Sequence, residues 1–300
     1  MKKEKKLIKP NEMSFGRWLF ILLLSVVAGF IVVLPFEFTL KPYMENNGIT
    51  IMGLTYQHLS CTLFFVPFFA ITALFLKLIG KTSMKDFILG VGGTINKQDC
   101  ITVFSLYLIG IAAQFLLIAN QIGIRSDVRI EEYIFLVVFM ILTAWIQTTC
   151  EELLFRGFLL RWACKNKVGY TKKAIFAAII NAVIFAIFHM ANPEVTSQNG
   201  IFILISALSY AFVGFMLFLA DLHFGNMLPG IIIHLMNNFT LYSIISSDGS
   251  AAPTRTFLVD NSSTNAVMTL ISHLIAYSPI LVYIIVDIRK RKKAGSVNAQ

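Results

Sequence analysis

Apolar residues fill almost the whole chain in runs of about twenty, and short polar stretches separate these runs. A helix of about 20 mostly apolar residues spans the hydrocarbon core of a bilayer. The pattern therefore predicts an all-α, polytopic membrane helix bundle of about eight transmembrane helices, with residues 1–300 forming a single membrane domain. The predicted spans are residues 18–36, 58–80, 101–120, 133–160, 174–190, 201–220, 226–247 and 266–286.

Composition supports a membrane protein and argues against a soluble domain. The chain is 57% hydrophobic and 14% charged, whereas soluble domains are about 45–50% apolar and about 25% charged. The net charge is +9, but the basic residues lie at the ends of the apolar runs. This placement fits lipid headgroups better than nucleic acid, so we expect membrane lipids as partners and no nucleic acid.

The distribution of lysine and arginine predicts the orientation of the bundle. Basic residues cluster in the N-terminal segment, in the loops after the second and fourth spans, and in the C-terminal segment. Cytoplasmic segments carry such an excess, so both termini are predicted to be cytoplasmic, as an even number of spans requires. The short stretch 221–225 between the sixth and seventh spans is predicted to be a solvated loop on the same side.

The fourth span contains charges that a lipid environment disfavours. Glu151, Glu152 and Arg156 lie within it, and each charge costs about 2.5–3.5 kcal/mol at the centre of a membrane helix. Glu152 and Arg156 are four residues apart and share a helix face. Glu151 points about 100° away from Glu152. We therefore predict that Arg156 neutralises Glu152 and leaves Glu151 free.

Two later spans carry the other polar side chains. His189 lies in the fifth span, and His234 and Asn238 lie one helical turn apart in the seventh. Counted from the predicted cytoplasmic ends at 1.5 Å per residue, Glu151 and His189 lie roughly 16 and 22 Å deep. His234 and Asn238 lie roughly 12 and 18 Å deep on the same count. The four side chains are therefore predicted to meet at one level of the membrane.

Each of these residues also has a purely structural interpretation. A glutamate–arginine pair can clamp a helix, a single histidine can be a packing residue, and asparagine often joins membrane helices by hydrogen bonds. Together, however, they supply the groups for hydrolysis. A buried carboxylate beside a neutral imidazole can deprotonate water, and a histidine with an asparagine can stabilise an oxyanion. Alternatively, Glu151, His189 and His234 could hold a Zn²⁺ ion that activates the water.

Three motifs carry a resemblance to a known family. They are E-E-x-x-x-R at 151–156, F-x-x-x-H at 185–189 and H-x-x-x-N at 234–238. Their order and their placement in separate spans resemble the CPBP family of intramembrane proteases, also named Abi or CAAX proteases. That family includes the type II CAAX prenyl endopeptidase and bacteriocin-immunity-type proteins. The resemblance covers about 133–245, which we take as the catalytic core.

The resemblance implies a role for each motif residue. Glu151 and His189 would activate the attacking water, and His234 and Asn238 would form the oxyanion site. Glu152 and Arg156 would support the structure of the site. The family is usually labelled a metalloprotease, which keeps zinc among the expected cofactors.

The leading hypothesis is an integral, multi-pass intramembrane endopeptidase of a bacterial cell membrane. It would act on a membrane-associated peptide or protein, such as a CAAX-like, leader or bacteriocin-related substrate. A proton-coupled transporter is one alternative, because intramembrane carboxylates and histidines relay protons, although the sequence shows no inverted repeat. A non-catalytic immunity or scaffold protein is the other alternative.

Overall fold

The computed structural model describes residues 14–47, 51, 54–90, 93–164, 169–247, 254–261 and 265–297. Helices dominate these residues, which confirms the all-α membrane bundle. The helices are α1 Phe15–Pro35, α2 Lys41–Asn46, α3 Tyr56–Leu78, α4 Met84–Leu89, α5 Lys97–Ile118, α6 Ile130–Cys164, α7 Lys172–His189, α8 Pro193–Thr196, α9 Ile201–Phe224, α10 Leu228–Phe239 and α11 Ala266–Val297. π-helical turns, Phe36–Leu40 and Thr240–Ile244, follow α1 and α10.

Seven helical segments among the described residues are long and apolar enough to cross a membrane. They are Phe15–Asn46, Tyr56–Leu78, Lys97–Gln121, Ile130–Cys164, Lys172–His189, Ile201–Phe224 and Ala266–Arg291. Their exposed faces carry large apolar side chains such as Ile31 and Leu116. Lipid is the medium in which such faces are stable, so the protein is an integral, multi-pass membrane protein.

The predicted seventh span, 226–247, differs from the structure. It is divided into α10, of 12 residues, and the five-residue π-helical turn that follows. At 1.5 Å per residue this helical stretch is about 25 Å long, and it ends in a short strand. It is therefore shorter than the other seven segments. The cytoplasmic location of both termini now rests on the basic-residue bias alone and stays a prediction.

The predicted solvated loop 221–225 is wrong. Helix α9 continues to Phe224, and both Asp221 and His223 are buried. The reason is that α10 and α11 pack against α9 and cover its last turn. A charge pattern along the sequence cannot show this coverage.

Helix α6 is the centre of the bundle. Its 35 residues span about 52 Å, far more than the roughly 30 Å hydrocarbon core. The helix packs against α3, α7 and α10, and most residues in its second half are buried. This half carries the glutamates and the arginine of the first motif.

Helices α7 and α9 approach each other closely at a glycine. A Cβ atom added to Gly214 would lie 2.7 Å from the Cβ of Phe185, so only glycine allows this distance. Asn181 Nδ2 donates a hydrogen bond to the Gly214 carbonyl at 2.7 Å. Asn181 therefore joins two membrane helices. This contact fixes the position of α7 along the axis of α9, and with it the position of His189, the last residue of α7.

A small sheet, which the sequence did not predict, closes one end of the bundle. Its strands are β1 Ile122–Ile124, β2 Ile245–Ser246 and β3 Leu258–Asp260 in the order β1-β3-β2. Strand β1 pairs antiparallel with β3, with Gly123 opposite Val259, whereas β2 pairs parallel with β3. The sheet ties the chain after α10 to the segment before α6.

Candidate active site

The first motif forms a fully buried ion pair. Glu152 and Arg156 lie one turn apart on α6, their side chains are 0% exposed, and the guanidinium contacts the Glu152 carboxylate. Burial of two charges is unfavourable unless they pair and find further hydrogen bonds. The predicted pairing of Glu152 with Arg156 is therefore confirmed as a contact.

His234 of α10 lies between the two glutamates. Its Nδ1 is 2.6 Å from Glu152 Oε1, and its Nε2 is 3.3 Å from Glu151 Oε2. An ionised carboxylate only accepts hydrogen bonds. Nδ1 therefore carries a proton and donates to Glu152, so Glu152 sets the orientation of the imidazole. When Nδ1 carries the only proton of a neutral ring, His234 Nε2 and Glu151 Oε2 are both acceptors. A hydrogen bond between these two atoms therefore needs one further proton, on either Nε2 or Oε2.

Glu151 has partners that the sequence analysis did not predict. Gln147, one turn earlier on α6, donates from Nε2 to Glu151 Oε1 at 2.9 Å. The other oxygen faces His234, and the side chain is 14% exposed. As predicted, Arg156 pairs with Glu152 and forms no ion pair with Glu151 among the described residues. Glu151 is nevertheless not without partners, because Gln147 and His234 flank it. The glutamine was detectable in the sequence, since it lies four residues before Glu151.

His189 occupies the end of α7 in an aromatic slot. Its ring stacks on Phe185 at 4.3 Å and on Tyr210 at 4.5 Å between ring centroids. Its Nδ1 is 2.7 Å from the Phe185 carbonyl, which can only accept. Nδ1 therefore carries the proton, and in the neutral ring Nε2 is an unprotonated acceptor. Within the described residues, His189 has no hydrogen bond or ion pair with Glu151.

The slot around His189 is held by α8 and α9. Tyr210 donates its hydroxyl to Glu194, and Asn192 Nδ2 donates to Glu194 Oε1 at 3.0 Å. The sequence analysis missed Tyr210 and Glu194, because no spacing rule links two positions on different helices. They fix the ring plane of His189.

Asn238 completes the set of predicted residues. It is buried and lies one turn after His234 on α10, so both face the same side of the helix. Its neighbour Asn237 faces elsewhere and accepts a hydrogen bond from Tyr107 at 3.0 Å. Asn238 has no hydrogen bond to another described residue, which leaves its amide free to donate to a ligand.

Comparison with known proteins identifies the segment that carries these residues. Residues 133–240 match the family described as type II CAAX prenyl endopeptidase Rce1-like. This segment is an Rce1-like domain. It contains every predicted site residue. They are Glu151, Glu152, Arg156, His189, His234 and Asn238.

One bacterial relative resembles part of the chain. The uncharacterized protein YyaK of Bacillus subtilis (strain 168) is 29% identical over 125 residues. The alignment covers 42% of this chain and 39% of YyaK, so it compares less than half of either protein. No solved structure matches the chain.

The Rce1-like domain also contains Asp221, which lies outside the three motifs. Its side chain is 0% exposed, and its Oδ2 is 3.6 Å from Arg156 Nε. Arg156 therefore faces carboxylates of two helices, Glu152 on α6 and Asp221 on α9. The sequence contains one indication of Asp221, because an acidic residue directly follows an apolar span. That pattern predicts a residue of a solvated loop and not a partner of Arg156.

The expected zinc ligands are not brought together in the Rce1-like domain. Across the residues that the structure describes, no group of three or more His, Cys, Asp or Glu side chains is placed to hold a metal ion. The physical reason is that Glu151 and Glu152 flank opposite nitrogens of His234, while His189 lies in its own slot. The predicted set of Glu151, His189 and His234 does not fit a metal ion in this arrangement.

Proposed function

We propose that the protein is an intramembrane endopeptidase that hydrolyses a peptide bond of a membrane-associated substrate with an activated water. The observation that carries the proposal is His234, held between Glu151 and Glu152 inside a bundle of membrane helices. The match of residues 133–240 to an endopeptidase family supports the same conclusion.

The charges around His234 provide a place for a proton to be taken up and released. Arg156 faces two carboxylates, Glu152 and Asp221, and Glu151 is a third carboxylate next to the imidazole. A net charge in a low-dielectric interior is costly, so the pair of Glu151 Oε2 and His234 Nε2 favours sharing one proton. A proton removed from water can enter this pair without a new isolated charge.

In the proposed reaction, Glu151 is the general base, and His189 supplies a second acceptor at its bare Nε2. The attacking water loses a proton to one of these groups while its oxygen bonds to the scissile carbonyl carbon. The carbonyl oxygen becomes an oxyanion and accepts hydrogen bonds from Asn238 and from the Nε2–H of His234, which Glu151 no longer accepts from once its carboxylate has taken the proton. The proton then moves to the leaving amine, which breaks the peptide bond.

Glu152 and Arg156 are assigned supporting roles. Glu152 accepts from His234 Nδ1 at 2.6 Å and is itself neutralised by Arg156. A charged partner that holds an imidazole in one tautomer and one orientation is a common device for catalytic histidines. Neither residue needs to touch the substrate for this role.

For the substrate we propose a peptide that reaches the site from the membrane. The family description points to CAAX-like C-termini. Leader or bacteriocin-related peptides are the alternative if the protein works in a bacterial cell membrane, which the Bacillus relative favours. Because the expected zinc ligands are not brought together among the described residues, the proposed reaction uses no metal. Metal analysis of the purified protein, with activity before and after chelation, tests this point.

The first prediction concerns cleavage by the purified protein. In liposomes with a panel of CAAX-like and leader-like peptides, we expect Glu151→Gln and His189→Ala each to lower the rate by about 10²–10⁴-fold, the typical contribution of a general base. Product peptides are measured by mass spectrometry. Glu131→Gln, which alters an exposed carboxylate at the start of the same helix, is the control and keeps the wild-type rate.

Two results would contradict the proposal. Unchanged cleavage in both variants would remove Glu151 and His189 from the reaction. Proton flux that disappears in Glu151→Gln, without any proteolysis by the wild type, would instead support a proton carrier.

A further inference from the structure

Asp221 is a buried acid that the three motifs leave out. It lies near the end of α9, its residue is 0% exposed, and Oδ2 is 3.6 Å from Arg156 Nε. A fully buried carboxylate is unfavourable unless charges and hydrogen bonds compensate it. A chain that keeps one here has a structural or a functional use for it.

The second oxygen of Asp221 holds the beginning of α10. Oδ1 accepts a hydrogen bond from the backbone N–H of Gly230 at 2.6 Å. Gly230 is the third residue of α10, where backbone N–H groups lack partners within the helix. The N-cap residue Met227 supplies no side-chain hydrogen bond. Asp221 therefore caps α10 from a neighbouring helix.

Gly230 shows that this contact depends on close approach. A Cβ atom added to Gly230 would lie 2.6 Å from Asp221 Oδ1 and 2.9 Å from its Cγ. Any other residue at this position would push the carboxylate away. The glycine and the aspartate thus form one unit.

The contacts of Asp221 close a ring around the site. On α10, Gly230 precedes His234 by one turn, and on α6, Glu152 precedes Arg156 by one turn. Asp221 contacts Gly230 and Arg156, while His234 contacts Glu152. Two paths therefore lead from the Asp221 carboxylate, one along α10 from Gly230 to His234 and one along α6 from Arg156 to Glu152. They meet at the His234–Glu152 hydrogen bond.

We infer that Asp221 is a positioning residue of the proposed protease. It holds α10 against α6 by its hydrogen bond to Gly230, and it competes with Glu152 for the guanidinium of Arg156. It does not touch the substrate. It sets how strongly Glu152 binds the imidazole of His234, and through this bond it sets the position of that ring beside Glu151. The inference rests on the proposed function.

Other ionisable groups surround the same charges. Glu151 and Glu152 face them from α6 and His234 faces them from α10. His189 of α7 acts electrostatically on His234, and Tyr277 of α11 acts on Arg156. A change at Asp221 therefore acts on a cluster. The experiment must separate the charge of Asp221 from its hydrogen bond.

Asp221→Asn makes this separation. Asparagine keeps an oxygen that accepts from the Gly230 N–H, but it removes the negative charge beside Arg156. The matched control is Asp287→Asn, which removes another acid near the end of a membrane helix that pairs with an arginine, Arg291, and with His223. Both variants are prepared as full-length protein in liposomes, and their melting temperatures are compared with the wild type.

We expect Asp221→Asn to lower kcat by about 10- to 100-fold while KM changes less than twofold. The acidic limb of the pH–rate profile should move to lower pH, because loss of a negative charge makes protonation of the Glu151–His234 pair less favourable. The control should keep the wild-type kcat and profile. A residue with a merely structural role would lower the amount of folded protein and leave the profile unchanged.

A second readout does not need activity. In protein labelled with ¹⁵N-histidine, the ring signals of His234 should change their pH titration in Asp221→Asn and keep it in Asp287→Asn. If Asp221→Asn fails to fold, Gly230→Ala replaces it, because the added methyl group displaces the carboxylate without removing any charge. That variant should lose at least tenfold in kcat.

The failures can be told apart. A wild type that cleaves nothing overturns the proposed protease, and the histidine titration then still tests Asp221. An active wild type with an unchanged kcat, pH profile and His234 titration in Asp221→Asn overturns the inference alone.

Discussion

Glu151 and Glu152 are neighbours in the sequence, but their surroundings differ because successive helical residues point about 100° apart. Glu152 is fully buried between Arg156 and His234. Glu151 is 14% exposed and is flanked by Gln147 and His234. The same side chain therefore has a structural role at one position and a proposed catalytic role at the next.

Arg156 is the residue on which the buried charges depend. Arg156→Met would leave Glu152 and Asp221 without their shared cation, and breaking a buried pair in this way typically costs about 3–5 kcal/mol. We expect a large drop in the melting temperature of the detergent-purified protein, measured by tryptophan fluorescence. Arg156→Lys, which keeps the charge but loses the planar fork, should give an intermediate value.

The exposed Arg129, directly before the first residue of α6, provides the control for this measurement. Arg129→Met should melt with the wild type, because surface ion pairs contribute little. A melting temperature of Arg156→Met equal to that of the control would show that the two carboxylates are protonated or hydrated instead of paired.

At the scale of the elements, the position of His189 depends on how closely α7 and α9 pack. Asn181 on α7 bonds to the Gly214 carbonyl on α9, and Phe185 lies against the same glycine. Phe185 also supplies the carbonyl that fixes the His189 tautomer. A contact between two helices thus decides the orientation of a proposed catalytic ring.

Gly214→Val tests this contact. Its side chain would overlap Phe185, and such overpacking typically costs about 1–3 kcal/mol. We expect a lower melting temperature and at least a tenfold slower cleavage, because α7 must move away and take His189 with it. Gly16→Ala is the control, since nothing lies within 4 Å of a Cβ atom there. Wild-type cleavage by Gly214→Val would mean that the site tolerates this displacement.

At the scale of the whole molecule, the structure separates seven long membrane segments from the shorter α10. Helix α10 nevertheless carries His234 and Asn238, and it packs against α5, α6 and α9. A helix surrounded by other helices does not have to match the thickness of the bilayer. This explains why the stretch with the proposed catalytic residues is also the one that deviates from the predicted span.

The number of crossings decides where the C-terminus lies. The basic-residue bias predicts both termini in the cytoplasm, which requires the 25 Å stretch of α10 and its π-helical turn to complete a crossing. We expect a fluorescent protein fused after residue 300 to fluoresce and a fused alkaline phosphatase to be inactive. A phosphatase fused after residue 121, between the third and fourth segments, should be active as the control. Active phosphatase at the C-terminus would contradict the prediction and leave seven crossings.

Much of this protein follows from the order of its residues. Runs of about twenty apolar residues determine membrane helices, because only a helix satisfies its own backbone hydrogen bonds in lipid. The four-residue spacing of Glu152 and Arg156 is enough to predict their ion pair, since it is local to one helix. The three motifs likewise point to the residues that the bundle brings together.

The tertiary structure decided which helices pack against each other and which of their residues come into contact. Only the packing of α10 against α6 places His234 between the two glutamates and gives Glu151 a partner other than His189. Only the packing of α9 against both buries Asp221 beside Arg156, although the sequence predicted a solvated loop. Local spacing determines contacts within a helix, whereas contacts between helices depend on side-chain volumes and close approaches such as that at Gly230, which no pattern along the chain records.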